Sequence, residues 1–151
     1  MLAERPAIER RILIALEATP PRIPILVGGC GSGRTTLLRR LHEVLGPETE
    51  YVDVERIATT PERFLSSVMQ AARCRAHEMP PGTADTRATR AAFDRVCHFL
   101  EHARTTSGTR VTFLLDEALE IRTFERFPGL RGVLREFWQT LCESPNRFVL
   151  T

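Results

Sequence analysis

The chain has 151 residues, 42% of them hydrophobic and 26% charged, a balance that suits one globular domain with a packed core. A formal charge of +2 is too small to argue for nucleic acid or an acidic membrane surface as partner, and no segment approaches the roughly 18 apolar residues of a membrane span. Cys30, Cys74, Cys97 and Cys142 lie apart, with no C-x-x-C pair or histidine at ligand spacing, which argues against a zinc site or a disulfide framework and for free thiols in a reducing cytoplasm.

Pro6 followed by Ile8, Ile12, Ala15 and Leu16 at helical spacing predicts an amphipathic helix that ends near Ala18-Thr19-Pro20-Pro21. The start, Met1 to Pro6, lacks the apolar centre of a signal peptide. Ile23 to Val27 is a short continuous apolar run of the kind that forms a parallel strand buried on both faces, with Pro24 tolerated only near its beginning. A glycine-rich turn, Gly28 to Gly33, follows at once. Leu37, Leu38, Leu41, Val44 and Leu45 then make one helical stripe, which Gly46-Pro47 ends.

Glu50 to Val54 reads as the next strand, and Thr60-Pro61-Glu62 as an N-cap, a proline at the first helical position and an acidic first turn. Phe64, Leu65, Val68, Met69 and Ala72 supply that helix's buried face. The breakers in Glu78 to Thr86 predict a loop, and Ala92, Val96, Phe99, Leu100 and Ala103 mark one face of a helix from about Ala88 to Arg104. Val111 to Leu115 is strongly apolar and β-favouring, and it ends in Asp116-Glu117. The structure of Glu120 to Phe127 is not fixed by pattern. Pro128-Gly129 is a break, and Leu130, Val133, Leu134, Phe137, Trp138 and Leu141 form another helical face. After the turn Ser144-Pro145-Asn146, Arg147 to Thr151 reads as a strand. Strands alternating with helices imply an α/β fold, three-layer α/β/α with a mostly parallel sheet.

Two places carry chemistry. Gly28-Gly29-Cys30-Gly31-Ser32-Gly33-Arg34-Thr35-Thr36 has the spacing of the phosphate-cradling pattern G-x-x-x-x-G-K-[ST], with Arg34 in the lysine position. Such a turn aims backbone N–H groups and a helix N-terminus at an anion. Gly28, Gly31 and Gly33 would allow positive φ and close backbone approach. Arg34 would lie on the terminal phosphates, and Thr35 would face a magnesium ion bound to them. The alternative is a glycine-rich βα turn without a ligand. The second place is Asp116-Glu117, at the carboxyl edge of the sheet where the turn also lies. Asp116 could hold the magnesium and Glu117 polarise a water for attack on a γ-phosphate, and the alternative is a helix N-cap with an acidic first turn.

Gly28 to Thr35 taken with Val111 to Glu117 resembles the Walker A and Walker B pair of P-loop ATPases, and more narrowly the AAA+ and STAND ATPases that include initiator-type and transposon-encoded regulators. The resemblance implies a P-loop NTPase-like fold, ATP and Mg2+ as cofactors, and ATP hydrolysis. By the same resemblance the segment Ile8-Glu9-Arg10-Arg11 would pack near the adenine, and Thr151 would stand as a sensor of the γ-phosphate or attacking water. It also implies that residues 1–151 are a single but incomplete domain, since a fifth strand, a lid and an arginine finger come later in such proteins. The Ile23 to Val27 strand would then be an exposed apolar edge. Protein partners or self-assembly would work through regions partly missing here, and DNA association is compatible with the resemblance without being indicated by charge.

Arg34 departs from the pattern. A planar guanidinium does not replace a compact ammonium neutrally at a tight phosphate site, yet all 21 basic residues are arginine, so a compositional bias suffices to explain it. The expectation is ATP binding with weak or regulated hydrolysis, and the rival reading is a nucleotide-gated regulatory module with little or no turnover. His98 and His102 stand four apart on a helix, without an H-E-x-x-H, and His77 has no nucleophile at recognisable spacing. Phe137 and Trp138 read as core or partner surface, and Cys30 as a small filler before an oxidation sensor.

Overall fold

The computed structural model describes residues 5–71 and 88–151. The expected loop from Glu78 to Thr86, together with Ala72, Cys74 and His77, lies outside them. Helix α1 (Arg5–Glu17) forms where the apolar periodicity placed it and buries Ile12 and Leu16. Helix α2 (Arg34–Leu45) starts on Gly33 at φ 83° and stops on Gly46 at φ 70°, left-handed values that glycine adopts without a Cβ penalty. Its buried stripe is narrower than expected: Leu37, Leu38 and Leu41 are covered, whereas Val44 is exposed.

Strand β1 (Thr49–Asp53) runs into a one-turn helix, α3 (Val54–Ile57), whose Arg56 N–H is capped by Asp53 Oδ1 at 3.0 Å. Helix α4 (Pro61–Ala71) has the predicted cap, with Thr60 Oγ1 accepting from Arg63 N–H at 3.2 Å. Helix α5 (Ala88–His102), strand β2 (Thr112–Asp116), helix α6 (Val133–Glu143) and strand β3 (Arg147–Leu150) complete the order. The stretch without a clear pattern is a 3-10 helix, Ala118–Arg126, that turns Ile121 and Phe124 into the core.

β2 is the central strand, parallel to β1 on one side and β3 on the other. Alternation along the strands sends their side chains to two different layers. Val52, Phe113, Leu115, Phe148 and Leu150 pack with α4, α5, α6 and the 3-10 helix, while Leu114 and Val149 pack with Ile12 and Leu16 of α1 and Leu37, Leu38 and Leu41 of α2. The fold is therefore three-layer α/β/α with a parallel sheet. Phe113 stacks on Phe148 with centroids 5.6 Å apart, and Phe99 meets Phe113 edge-on at 6.0 Å.

One buried side chain sets the ends of three elements. Asn146 donates from Nδ2 to the carbonyls of Leu100 at 2.8 Å and Ala103 at 3.1 Å, and its Oδ1 accepts from Val111 N–H at 3.0 Å. The last carbonyls of α5 and the entry to β2 are thus satisfied from the turn that begins β3.

The first apolar run departs from the buried strand its composition suggested and has the exposed apolar edge that the resemblance implied. Ile23 to Val27 is not a strand buried on both faces: Ile25 forms a single parallel bridge to Leu150, held by Leu26 N–H to Leu150 O at 2.8 Å and Leu150 N–H to Pro24 O at 2.9 Å. Ile25 is 51% and Val27 90% exposed. The reason is position. The segment lies outside β3 with a neighbour on one side only, and Pro24 removes a donor from its start, so the ladder does not extend. Trp138 likewise stands 39% exposed at the rim of its helical face, while Phe137 is buried. Among the described residues, no helix is long and apolar enough to cross a membrane.

Candidate functional site

The glycine turn is built for close approach. A Cβ on Gly28 would meet Ser32 Oγ at 2.7 Å and Ser32 Cβ at 3.0 Å, so any larger residue there would force the Ser32 side chain to shift. Positive φ is confined to Gly31 (74°) and Gly33 (83°); Gly28 serves by its missing side chain, which corrects the expectation of positive φ at all three. Ser32 N–H closes the turn on Gly29 O at 3.1 Å, and Leu37 N–H makes the first bond of α2, to Gly33 O at 2.9 Å. The N–H groups of Arg34, Thr35 and Thr36 therefore stand in the first turn, without intrahelical acceptors and at the positive end of the helix dipole. Gly28, Gly29, Cys30, Ser32 and Thr36 are exposed, and Thr35 is half-buried.

Beside this turn is a cavity of about 470 Å³, walled by Ile8, Ile12 and Ala15 of α1 and by the Ile25 to Val27 segment, and reaching Arg34. Arg11 joins its lining. An apolar slot that runs into a cluster of unpaired N–H groups suits a ligand with a flat apolar end and an anionic end. The ion pair between Glu9 and Arg40, at 2.7 Å, ties α1 to α2 across the same region.

The carboxylate side of the site is a connected chain of hydrogen bonds. Asp116, 3% exposed, ends β2. Its Oδ1 accepts from Thr151 Oγ1 at 2.5 Å and its Oδ2 from the Tyr51 hydroxyl at 2.7 Å, so a buried carboxylate has a donor on each oxygen. The Thr151 hydroxyl also accepts from Glu117 N–H at 2.8 Å, and the Thr151 main chain bonds Leu115 O at 3.0 Å and Ala118 N–H at 2.9 Å. Glu117 adopts φ 51°, the left-handed region that a non-glycine residue enters at a cost. From there its Oε1 meets the Arg34 guanidinium at 2.9 Å. Burial, followed by the bond to Asp116, pushes the Tyr51 phenol up to about 12, so it remains a donor at neutral pH. The Arg39 guanidinium lies 5.7 Å from the centre of the Tyr51 ring.

Of the residues singled out from sequence, Arg34, Asp116, Glu117 and Thr151 come together in this chain, although Arg34 and Glu117 are 83 positions apart. Thr35 and Thr36 share the first turn with Arg34 but take no part in it. The helix-cap alternative does not describe Asp116-Glu117: the 3-10 helix that follows has no side-chain cap, and both carboxylates are engaged elsewhere. Thr151 is committed to Asp116 and Glu117, so its hydroxyl serves as a tie between the two carboxylate-bearing residues. Tyr51 and Arg39 escaped sequence reasoning. Tyr51 is two before Asp53 and so shares its face, but only the observed register, Asp53 opposite Asp116, brings that face to the site. The rings of His98 and His102 stack at 4.1 Å, with His102 Nδ1 on His98 O at 3.0 Å. Among the described residues, no group of three or more His, Cys, Asp or Glu could hold a metal ion. A hard cation at this site would accordingly take part of its shell from a bound ligand's oxygens.

The family model described as "AAA domain" matches residues 18–150. A solved structure similar to the chain is that of the Aeropyrum pernix ORC2 protein, in ADPNP-ADP complexes, at 17% identity and a TM-score of 0.48. The match covers 98% of this chain and 39% of that one. No curated protein matches the chain.

Proposed function

The chain belongs to the AAA domain family, and on that premise we propose that this nucleotide-binding module of AAA+ ATPase type takes ATP with Mg2+ at the glycine turn and hydrolyses it slowly, under the control of Arg34. The observation that carries the reading is the ion pair from Arg34, at the end of the turn, to Glu117, just past β2, at 2.9 Å. It draws the anion-binding turn and the carboxylate pair into one site. The donor set fits the group: hydroxyl and carboxylate oxygens from Thr35 and Asp116 are the hard ligands that Mg2+ takes, and the Gly28 to Thr36 turn supplies N–H groups for phosphate.

In this reading the backbone of Gly28 to Gly33 and the first N–H groups of α2 bind the phosphates, and Arg34 neutralises the terminal ones. The apolar wall of α1 takes the base. Asp116 and Thr35 hold the cation, which when bound offsets the charge that builds on the phosphate oxygens. Glu117 takes the proton of the attacking water, and Thr151 keeps Asp116 and the Glu117 main chain in register. Cytoplasmic residence is favoured by the free thiols of Cys30, Cys97 and Cys142. Association with further copies, protein partners or DNA belongs to the same proposal, and residues 1–151 would contribute one ATPase unit to it.

The same ion pair favours a second reading, a nucleotide-gated regulatory module with little turnover. While Arg34 holds Glu117, neither is free for its role, so phosphate must draw Arg34 away before the carboxylate can act as a base. Titration with a fluorescent ATP analogue and an assay of released phosphate test both. The expected result is saturable, Mg2+-dependent binding, weakened about 10- to 100-fold by Arg34→Ala through loss of a charge-assisted bond. Glu117→Gln should keep binding and abolish turnover if the wild type hydrolyses ATP; a folded wild type that binds but never releases phosphate selects the regulatory reading. Absence of saturable binding in folded protein would reject both.

A further inference from the structure

Asp116 is gripped from both neighbouring strands. Thr151, just past β3, donates to Oδ1 at 2.5 Å, and Tyr51, on β1, donates to Oδ2 at 2.7 Å. With a donor on each oxygen from opposite sides, the carboxylate cannot rotate about its last torsion without breaking a buried bond. The two donors are not equivalent. The Thr151 hydroxyl also holds Glu117 N–H, so its removal disturbs both carboxylate-bearing residues at once. Tyr51 touches Asp116 alone of the two; its ring packs against the core cluster to which Leu37, Leu38 and Leu41 of α2 belong, and Arg39 of the same helix lies over it at 5.7 Å. Arg39 is four residues after Thr35, which puts the two on one side of α2, a turn apart.

We propose that Tyr51 is a positioning residue that locks the Asp116 carboxylate to the helix carrying Thr35, and thereby sets how strongly Mg2+ supports nucleotide binding. The inference rests on the ATP-site reading above. Its physical basis is that a metal ligand's affinity depends on the partners that orient it: an Asp116 fixed relative to α2 keeps its spacing from Thr35 before any ligand arrives, whereas a free one must be ordered on binding. The alternative, that Tyr51 is only a half-buried core residue, requires its ring and not its hydroxyl.

Tyr51→Phe separates these, because it keeps the ring and removes the donor. Calorimetric titration of the whole chain with ATP, once with Mg2+ and once with EDTA, gives the factor by which Mg2+ tightens binding. The proposal expects that factor to fall about 10- to 100-fold in Tyr51→Phe with the EDTA affinity unchanged. In an Asp116→Asn background, the same substitution should change the factor no further, since Tyr51 acts through that carboxylate. A measurement on unaltered protein guards against a variant that fails to fold: Tyr51 is the only tyrosine, so a ring-13C label reports it alone. Its Cζ signal should move when Mg2+ is added to the ATP-saturated protein. Equal weakening with and without Mg2+, an unchanged factor, an additive effect in Asp116→Asn, or a Cζ signal that stays put overturns the proposal. A wild type that binds ATP independently of Mg2+ overturns the metal reading and the Tyr51 role with it, whereas a Mg2+-dependent wild type matched by Tyr51→Phe removes only the latter.

Discussion

The two sides of the site are built in opposite ways. Asp116 and Thr151 are buried at the ends of the adjacent strands β2 and β3, and both Asp116 carboxylate oxygens and the Thr151 hydroxyl have hydrogen-bond partners. The glycine turn and the Ile23 to Val27 segment before it are largely exposed, attached to the sheet by one bridge to Leu150. The carboxylate side is therefore ordered by the core whether or not a ligand is present. The phosphate side leaves its N–H groups open and depends on an incoming anion to complete it. The Arg34 to Glu117 ion pair joins a side chain at the end of the turn to one of the carboxylates. A protein built this way has its positional accuracy on the side that does chemistry and its adaptability on the side that captures the ligand.

That contrast is open to breakage by substitution, most severely in the layer beneath the carboxylates. Phe113 is fully buried between Phe99 and Phe148, so Phe113→Ala should cost about 3–5 kcal/mol through lost burial and the cavity left behind. Denaturant titration measures it, and a loss under ~1 kcal/mol would mean that the sheet is not the rigid support described. Next in size is Thr151→Val, near-isosteric but without the hydroxyl. It leaves a buried Asp116 oxygen with no donor from Thr151 and the Glu117 N–H with no acceptor, for an expected loss of about 1–3 kcal/mol. A loss of that size in stability, with ATP affinity in EDTA nearly unchanged, would keep the two sides distinct. A large drop in EDTA affinity would show them to be one.

How far the site was legible in the sequence follows the same division. Gly28 to Thr36 and Asp116-Glu117 are local patterns whose chemistry depends on neighbours along the chain, and the α/β alternation then brings them to one sheet edge. The helix limits at Gly46 and Thr60 were legible for the same reason. What was not legible depends on pairing between distant strands. The contact of Tyr51 with Asp116 exists only in the register that sets Asp53 against Asp116, and no local pattern encodes a register. The left-handed turn at Glu117 is equally hidden, because a glutamate gives no sign of positive φ. At Ile23 to Val27 composition alone pointed to burial on both faces, whereas the resemblance implied the exposed apolar edge that is found, because burial is decided by what lies on the far side.

Val27 gives the smallest effect and the most direct test of that last point. It is 90% exposed, follows the single bridge at Ile25, and lies on the outermost segment of the sheet. An exposed side chain with no covering layer contributes little to folding, so Val27→Lys should change stability by no more than about 0.5 kcal/mol. A charge on an apolar edge also opposes pairing with the edge of another molecule, so the variant should self-associate less, as read by light scattering against concentration. If instead the substitution cost more than ~2 kcal/mol, the segment would have to be covered in the folded protein, and the open side of the site would be as fixed as the carboxylate side. Unchanged stability with unchanged self-association would leave the segment exposed but show that its backbone edge is not what neighbouring molecules use.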